Sequence, residues 1–289
     1  MLTIDEIKSI GKEKNQTLQW GIVSLCQEEI VNCIAGSEFR EQVGVKGDYI
    51  QFGECEGKAY GLPELELLLF GIDEEVVIKT VLENDSEEFR FLEIQEETKE
   101  EILEGTKIEY RVYAEAAGIR TGFMMNLLVL NIEYENSIYL NATTKKTKDI
   151  NGLTGKNATE MRRMYVEGIF VEKYKRVIKK GELLNNMKPF ADMYFIAKNY
   201  CLDARRIKDY LLLENDVNPE NIREFQMLGG NINLIKRWKS FSREIKSTVK
   251  NLPELIQVCT EVLEPIYTSI ERNEPFFGEW MPELARYID

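Results

Sequence analysis

The apolar residues of this chain change their spacing once, and that change limits the folds open to it. Between about residue 40 and residue 144 they recur every second position. The segment Thr106 to Ala116 places Ile108, Tyr110, Val112 and Ala114 on one face and Lys107, Glu109, Arg111 and Tyr113 on the other. A strand with one wet side reads this way. After Asn157 the two-residue alternation is gone. Phe170, Val171, Tyr174, Val177 and Ile178 follow helical spacing, with Lys175, Arg176 and Lys179 opposite, which predicts one amphipathic helix over 158–180 ending at Gly181.

Further helical segments are predicted over Phe190–Tyr200, Asp203–Leu213, Pro219–Leu228 and Ile232–Lys246. Pro253 opens another helix that Pro265 is expected to kink. Strands first and helices afterwards predict an α+β fold: an N-terminal antiparallel β-rich half followed by an all-helical C-terminal half. The expected domains are 1–150, acidic and β-rich with an N-terminal helix, and 151–289, helical.

Within the first half, Thr3 and Glu6 form a capping-box pattern, and Ile22, Cys26, Ile30, Cys33 and Ile34 mark a core-facing helix over Leu18–Ile34. Val76–Leu82 and Phe89–Ile94 read as a hairpin across 84–86, and residues 96–105 as a helix stopped by Gly105. The segments 127–134 and 137–144 alternate about Glu135-Asn136, and Gly118 stands where a turn needs positive φ.

Charge is sorted along the chain. The formal net charge is -13, yet residues 1–144 hold 12 Lys and Arg against 29 Asp and Glu, while residues 145–180 hold 11 against 4. An acidic β-rich half repels nucleic acid and anionic membrane and favours encounter with a basic protein. The expected binding face is acidic and includes Glu109, Glu115, Glu133 and Glu135. The basic segment offers Lys145, Lys146, Lys148, Lys156, Arg162 and Arg163, either to phosphate or to the acidic half of the same chain or of a second copy in a homo-oligomer.

The chain contains no histidine, which removes Ser-His-Asp and Cys-His relays, H-E-x-x-H zinc sites and the kinase H-R-D loop. Its five cysteines, Cys26, Cys33, Cys55, Cys201 and Cys259, are scattered with no C-x-x-C pair, so reduced thiols in a cytoplasmic protein are expected and no zinc site. "GLTGK" at 152–156 fails the phosphate-loop pattern, because Asn157 follows the lysine and Ile150 stands at the first glycine position. Asp48, Glu54, Glu56 and Lys58 could serve magnesium chemistry on phosphate esters. Four acid-x-Lys triplets are expected from composition alone, so that pattern adds no weight.

The residues therefore rank a non-catalytic regulator, inhibitor or assembly factor first, engaging a basic partner such as a nucleic-acid-handling complex. A nucleic-acid binder using 145–180 ranks second, and a metal-dependent nuclease or phosphoesterase third. No cofactor, metal or catalytic residue is assigned and no membrane contact is expected. Lys outnumbers Arg 23 to 14, a composition of AT-rich bacterial or phage genomes.

Overall fold

A computed structural model of the chain describes residues 3–13, 16–46, 64–84, 86, 88–102, 105–130, 144–147, 161–213, 217–244 and 251–288. The fold mixes helices and strands throughout and divides into two compact units, the first ending at Met164 and the second beginning at Tyr165. The division falls after Met164 and not at residue 150, because a strand over Met161–Met164 pairs with the first unit's sheet.

The first unit opens with α1 (Ile4–Glu13) and α2 (Leu18–Ala35). The Thr3–Glu6 box forms as expected: Thr3 N and Oγ1 donate to Glu6 Oε2 at 2.7 and 2.8 Å, and Glu6 N donates to Thr3 Oγ1 at 3.3 Å. Thr17 caps α2 by accepting from Trp20 N. Ile22, Cys26, Ile30 and Ile34 are fully buried there, and Cys33 is half-buried. Burial pushes both thiols up to about 12, helped by the nearby Glu29 carboxylate, so neither is a thiolate at neutral pH.

The sheet comprises β1 (Val43–Lys46), β2 (Leu65–Phe70), β3 (Phe89–Ile102), β4 (Gly105–Ala116), β5 (Ile119–Leu130), β6 (Thr144–Thr147) and β7 (Met161–Met164), in the order β3-β4-β5-β2-β1-β7-β6. It is mixed and not purely antiparallel, since β1 with β7 and β2 with β5 run parallel. One face is apolar: Val43, Val45, Leu65, Leu67, Leu69, Ile108, Val112 and Met125 have no exposed surface. Two helices lie on it. Gln19 of α2 donates to Thr121 Oγ1 at 2.6 Å, and Glu74, which opens α3 (Glu74–Leu82), accepts from Lys99 Nζ at 2.8 Å.

Three local expectations are corrected here. Glu74–Leu82 is a helix and not half of a hairpin, because Val77 and Val81 are one turn apart and bury together while Glu74 and Glu75 favour the helix N-terminus. Residues 96–102 continue β3 and are not helical. Their helix-forming glutamates are overruled by the ladder with β4, which bulges at Phe91/Glu93 and at Glu96/Thr98. Gly105 is then no helix stop, for it opens β4 where a side chain would run into the Val129 carbonyl. At the β4–β5 turn, Ala117 (φ 49°) and Gly118 (φ 77°) both take positive φ, as a two-residue hairpin of this hand requires. Residues 131–143, the rest of another expected hairpin, lie outside the described residues.

The second unit contains α4 (Val166–Lys180), α5 (Lys188–Asn199), β8 (Leu202–Asp203), α6 (Ala204–Leu212), α7 (Glu220–Leu228), α8 (Ile232–Glu244), α9 (Leu252–Glu271), β9 (Glu279–Met281) and β10 (Arg286–Ile288). The helix predicted over 158–180 starts at Val166, since Met161–Met164 is taken by β7. α9 runs through Pro265 as one helix, capped by Asn251 Oδ1, which accepts from Glu254 N at 2.8 Å. The core is aromatic: Tyr174 stands edge-on to Phe225 at 5.3 Å and to Tyr267 at 6.1 Å, while Phe190 stacks on Phe225. This unit is not all-helical, because β8, β9 and β10 form a small antiparallel sheet. That sheet is held by Trp280, whose indole N–H donates to the Ala197 carbonyl at 2.7 Å. No helix of the described residues is long and apolar enough to cross a membrane.

Candidate functional site

The second face of the seven-stranded sheet carries the polar chemistry. Side chains alternate along strands and ladder partners share a face, so the registers place Glu66 beside Lys46 on one side and Asn126 on the other. Leu68, Leu128, Leu130 and the half-buried Phe70 form a small apolar cluster on that face. Next to it, Lys46 Nζ lies 3.0 Å from Glu66 Oε2, with the side chains only 11% and 20% exposed. An ion pair so withdrawn from water costs desolvation that its mutual attraction must offset. Glu64, two residues before Glu66 and just ahead of β2, is half-buried.

Arg162 reaches this face from the other edge, whereas Arg163, the ladder partner of Val45, lies on the apolar face. Arg162 is the ladder partner of Gly44, two residues before Lys46, and Lys146 is the partner of Arg162. Lys145 stands opposite Arg163 in the same ribbon. Arg162 Nε donates to the Glu41 carbonyl at 3.0 Å, and Arg163 is buried. Lys148 and Lys156 lie outside the described residues.

The predicted acidic residues are elsewhere. Glu109 is on β4, 3.6 Å from Lys107 Nζ, and Glu115 is 3.5 Å from Arg120 Nε across the β4–β5 hairpin. Glu97 accepts from Arg111 Nε at 2.6 Å. Several of these acids are thus met by cations of their own sheet, and β4 is separated from β7 by β5, β2 and β1. Glu133 and Glu135 lie outside the described residues, as do Asp48, Glu54, Glu56 and Lys58.

Sequence reasoning missed Lys46, Glu64, Glu66 and Asn126. One signal was present: "ELELLLF" sets two carboxylates at i and i+2 at the head of an otherwise apolar strand, where a charge is expensive unless it has a partner. That partner, Lys46, is twenty residues away in sequence, and only the β1–β2 ladder joins them.

Two carboxylates and a neighbouring amide are hard oxygen donors of the kind magnesium takes, and magnesium usually needs only one or two protein carboxylates when substrate phosphates complete its shell. Among the described residues no group of three or more acidic, cysteine or histidine ligands is placed to hold a metal alone. The donor set fits a cation that arrives with a phosphate-bearing substrate.

No protein-family model and no curated protein sequence matches the chain. Solved structures do. A crystal structure from H. pylori, described provisionally as a nucleotidyltransferase, matches with TM-score 0.52 at 12% identity, covering 88% of this chain and 98% of that one. JHP933 from Helicobacter pylori matches with TM-score 0.50 at 12% identity, covering 86% and 94%. An antigenic nucleotidyltransferase-like protein from Paracoccidioides brasiliensis, at TM-score 0.33 and 14% identity, is too distant in shape to carry an argument. At these identities the likeness is one of fold.

Proposed function

We propose that the chain handles nucleoside triphosphates and transfers a nucleotidyl group to an acceptor, with the site on the second face of the sheet around Lys46, Glu64, Glu66 and Asn126. The observation that carries this reading is the pair of carboxylates Glu64 and Glu66 at i and i+2 at the head of β2, with a buried lysine locked to Glu66. The near full-length likeness in fold to the H. pylori protein supports it.

In such a transfer an acceptor oxygen attacks the α-phosphorus and pyrophosphate leaves. A divalent cation, when bound, neutralises charge developing on the phosphate oxygens. Glu64 and Glu66 would hold it. Lys46 orients the Glu66 carboxylate, and Arg162 of β7, whose ladder partner Gly44 shares the face of Lys46, adds positive potential toward a phosphate-bearing substrate. The free thiols, among them the exposed Cys201, fit a reducing cytoplasm.

The test is incubation with each of four α-labelled nucleoside triphosphates, magnesium or manganese, and RNA, DNA or protein acceptors. Label transfer with pyrophosphate release is expected, falling by at least about a hundredfold in Glu64→Gln and Glu66→Gln. No triphosphate binding by calorimetry together with no transfer to any acceptor would refute the reading.

A second reading keeps the protein non-catalytic, a regulator or inhibitor whose acidic sheet engages a basic protein. Its support is β3, an edge strand that carries Glu93, Glu96, Glu97, Glu100 and Glu101, buries Phe89 and Phe91 at its start and is exposed from Gln95 onward. Charge-neutral glutamine variants of Glu93, Glu96 and Glu100 should slow association with a captured partner and flatten its salt dependence. Unchanged kinetics would remove this reading.

A further inference from the structure

The second unit contains a cleft of about 410 Å³ with an unusually well-anchored arginine in its wall. Arg206 Nη1 is 3.4 Å from Glu167 Oε1, and its guanidinium lies 4.1 Å from the centre of the Tyr165 ring. Glu167 is only 4% exposed in its side chain, and the same oxygen accepts from Asp203 N at 3.0 Å. The carboxylate is therefore occupied from within. Arg206 has five N–H donors in a rigid fork, and with 39% of its side chain exposed most of them are not consumed by that one contact.

Three further groups line the same cleft. Arg205 is 64% exposed, its Nε 3.7 Å from Asp203 Oδ1 and its guanidinium 5.5 Å from the centre of the Phe277 ring. Phe277 is 61% exposed, which is unusual for a phenylalanine in a unit with so full an aromatic core. Glu279 is exposed and supplies an acceptor carboxylate. Two guanidinium groups, each with one lining carboxylate (Asp203, Glu167) as partner and further N–H donors to spare, an exposed aromatic ring and the carboxylate of Glu279 suit a ligand that has an anionic group, a planar ring and hydroxyl or amino donors. The volume falls in the range of small-molecule sites, roughly 300–1,000 Å³.

We propose that this cleft binds a nucleoside monophosphate: the phosphate on the Arg205 and Arg206 forks, the base against Phe277, and sugar hydroxyls or a base amino group donating to Glu279. The site goes beyond the sheet site proposed above and stands whether or not that reading holds, because every residue in it belongs to the second unit.

The experiment is titration of the full chain with AMP, GMP, CMP and UMP by calorimetry and saturation-transfer NMR, beside adenosine and inorganic phosphate alone. One monophosphate should bind at one site, with adenosine and phosphate each at least about tenfold weaker. Arg205→Ala and Phe277→Ala should each weaken it about tenfold or more at unchanged melting temperature, and Arg206→Lys should do so while keeping the charge beside Glu167. The proposal is overturned if none of the four binds up to about 5 mM, if phosphate alone binds as tightly as the nucleotide, or if binding survives these variants and is lost instead in Glu64→Gln. The last outcome would move the ligand to the sheet.

Discussion

Lys46 Nζ and Glu66 Oε2 lie 3.0 Å apart across β1 and β2, in the middle of the sheet of the first unit and nearly shielded from water. Removing one partner strands the other, which for a fully buried pair costs about 3–5 kcal/mol. Glu66 keeps a fifth of its side-chain surface, so Lys46→Met should cost less, about 2–3 kcal/mol by urea unfolding. The double variant Lys46→Met/Glu66→Leu should recover most of that loss. A double-variant loss equal to the sum of the losses in Lys46→Met and Glu66→Leu would show that the pair is not coupled.

The β4–β5 turn places an alanine where glycine or asparagine is cheaper, since Ala117 sits at φ 49°. Ala117→Gly should raise stability by up to about 1 kcal/mol. Gly105→Ala should do the reverse by several times as much, because the added methyl group would meet the Val129 carbonyl of β5. Thermal unfolding of the two variants checks both signs.

Glu74 and Lys99 tie α3 to β3 at 2.8 Å, and the hydrogen bond from Lys99 holds the Glu74 carboxyl below its ordinary value. A depressed folded value means that this contribution is complete above the unfolded value, near 4.5, and is lost as pH falls through the folded one. Lys99→Met should therefore lower stability at pH 7 and leave it close to wild type at pH 3. A deficit that persists unchanged at pH 3 would assign the loss to packing.

Asp209 on α6 has the opposite shift, its carboxyl raised by burial and by the neighbouring Asp203 against the pull of Arg205 and Lys208. The folded state then binds the proton more readily than the unfolded chain, and stability falls as pH rises from about 3.8 through the folded value. Asp209→Asn should raise the melting temperature at pH 7, and the advantage should vanish toward pH 3. No difference at either pH would mean that the shift is absent.

Much of the first unit could be read from spacing. β4 buries Ile108, Tyr110, Val112 and Ala114 as the alternation requires, and α2 and the Thr3–Glu6 cap fall where their local signals place them. These features depend on neighbours within a few residues, which is what periodicity and capping report. The helices of the second unit were legible for the same reason. β3 and α3 were not: a glutamate-rich segment became a strand because β4 offered it a ladder, and a valine-rich one became a helix because Val77 and Val81 could bury together.

The sequence by itself determined where charge and apolar surface lie along the chain, and that histidine chemistry is closed to it. Only tertiary structure decided which charges meet. Lys46 and Glu66 are joined by an antiparallel ladder, Gly44 and Arg162 by a parallel one, and Tyr165, Glu167 and Arg206 by the packing of α4 beside α6. A site is a set of distances between residues remote in sequence, and those distances follow from strand order and helix packing, which local spacing does not encode.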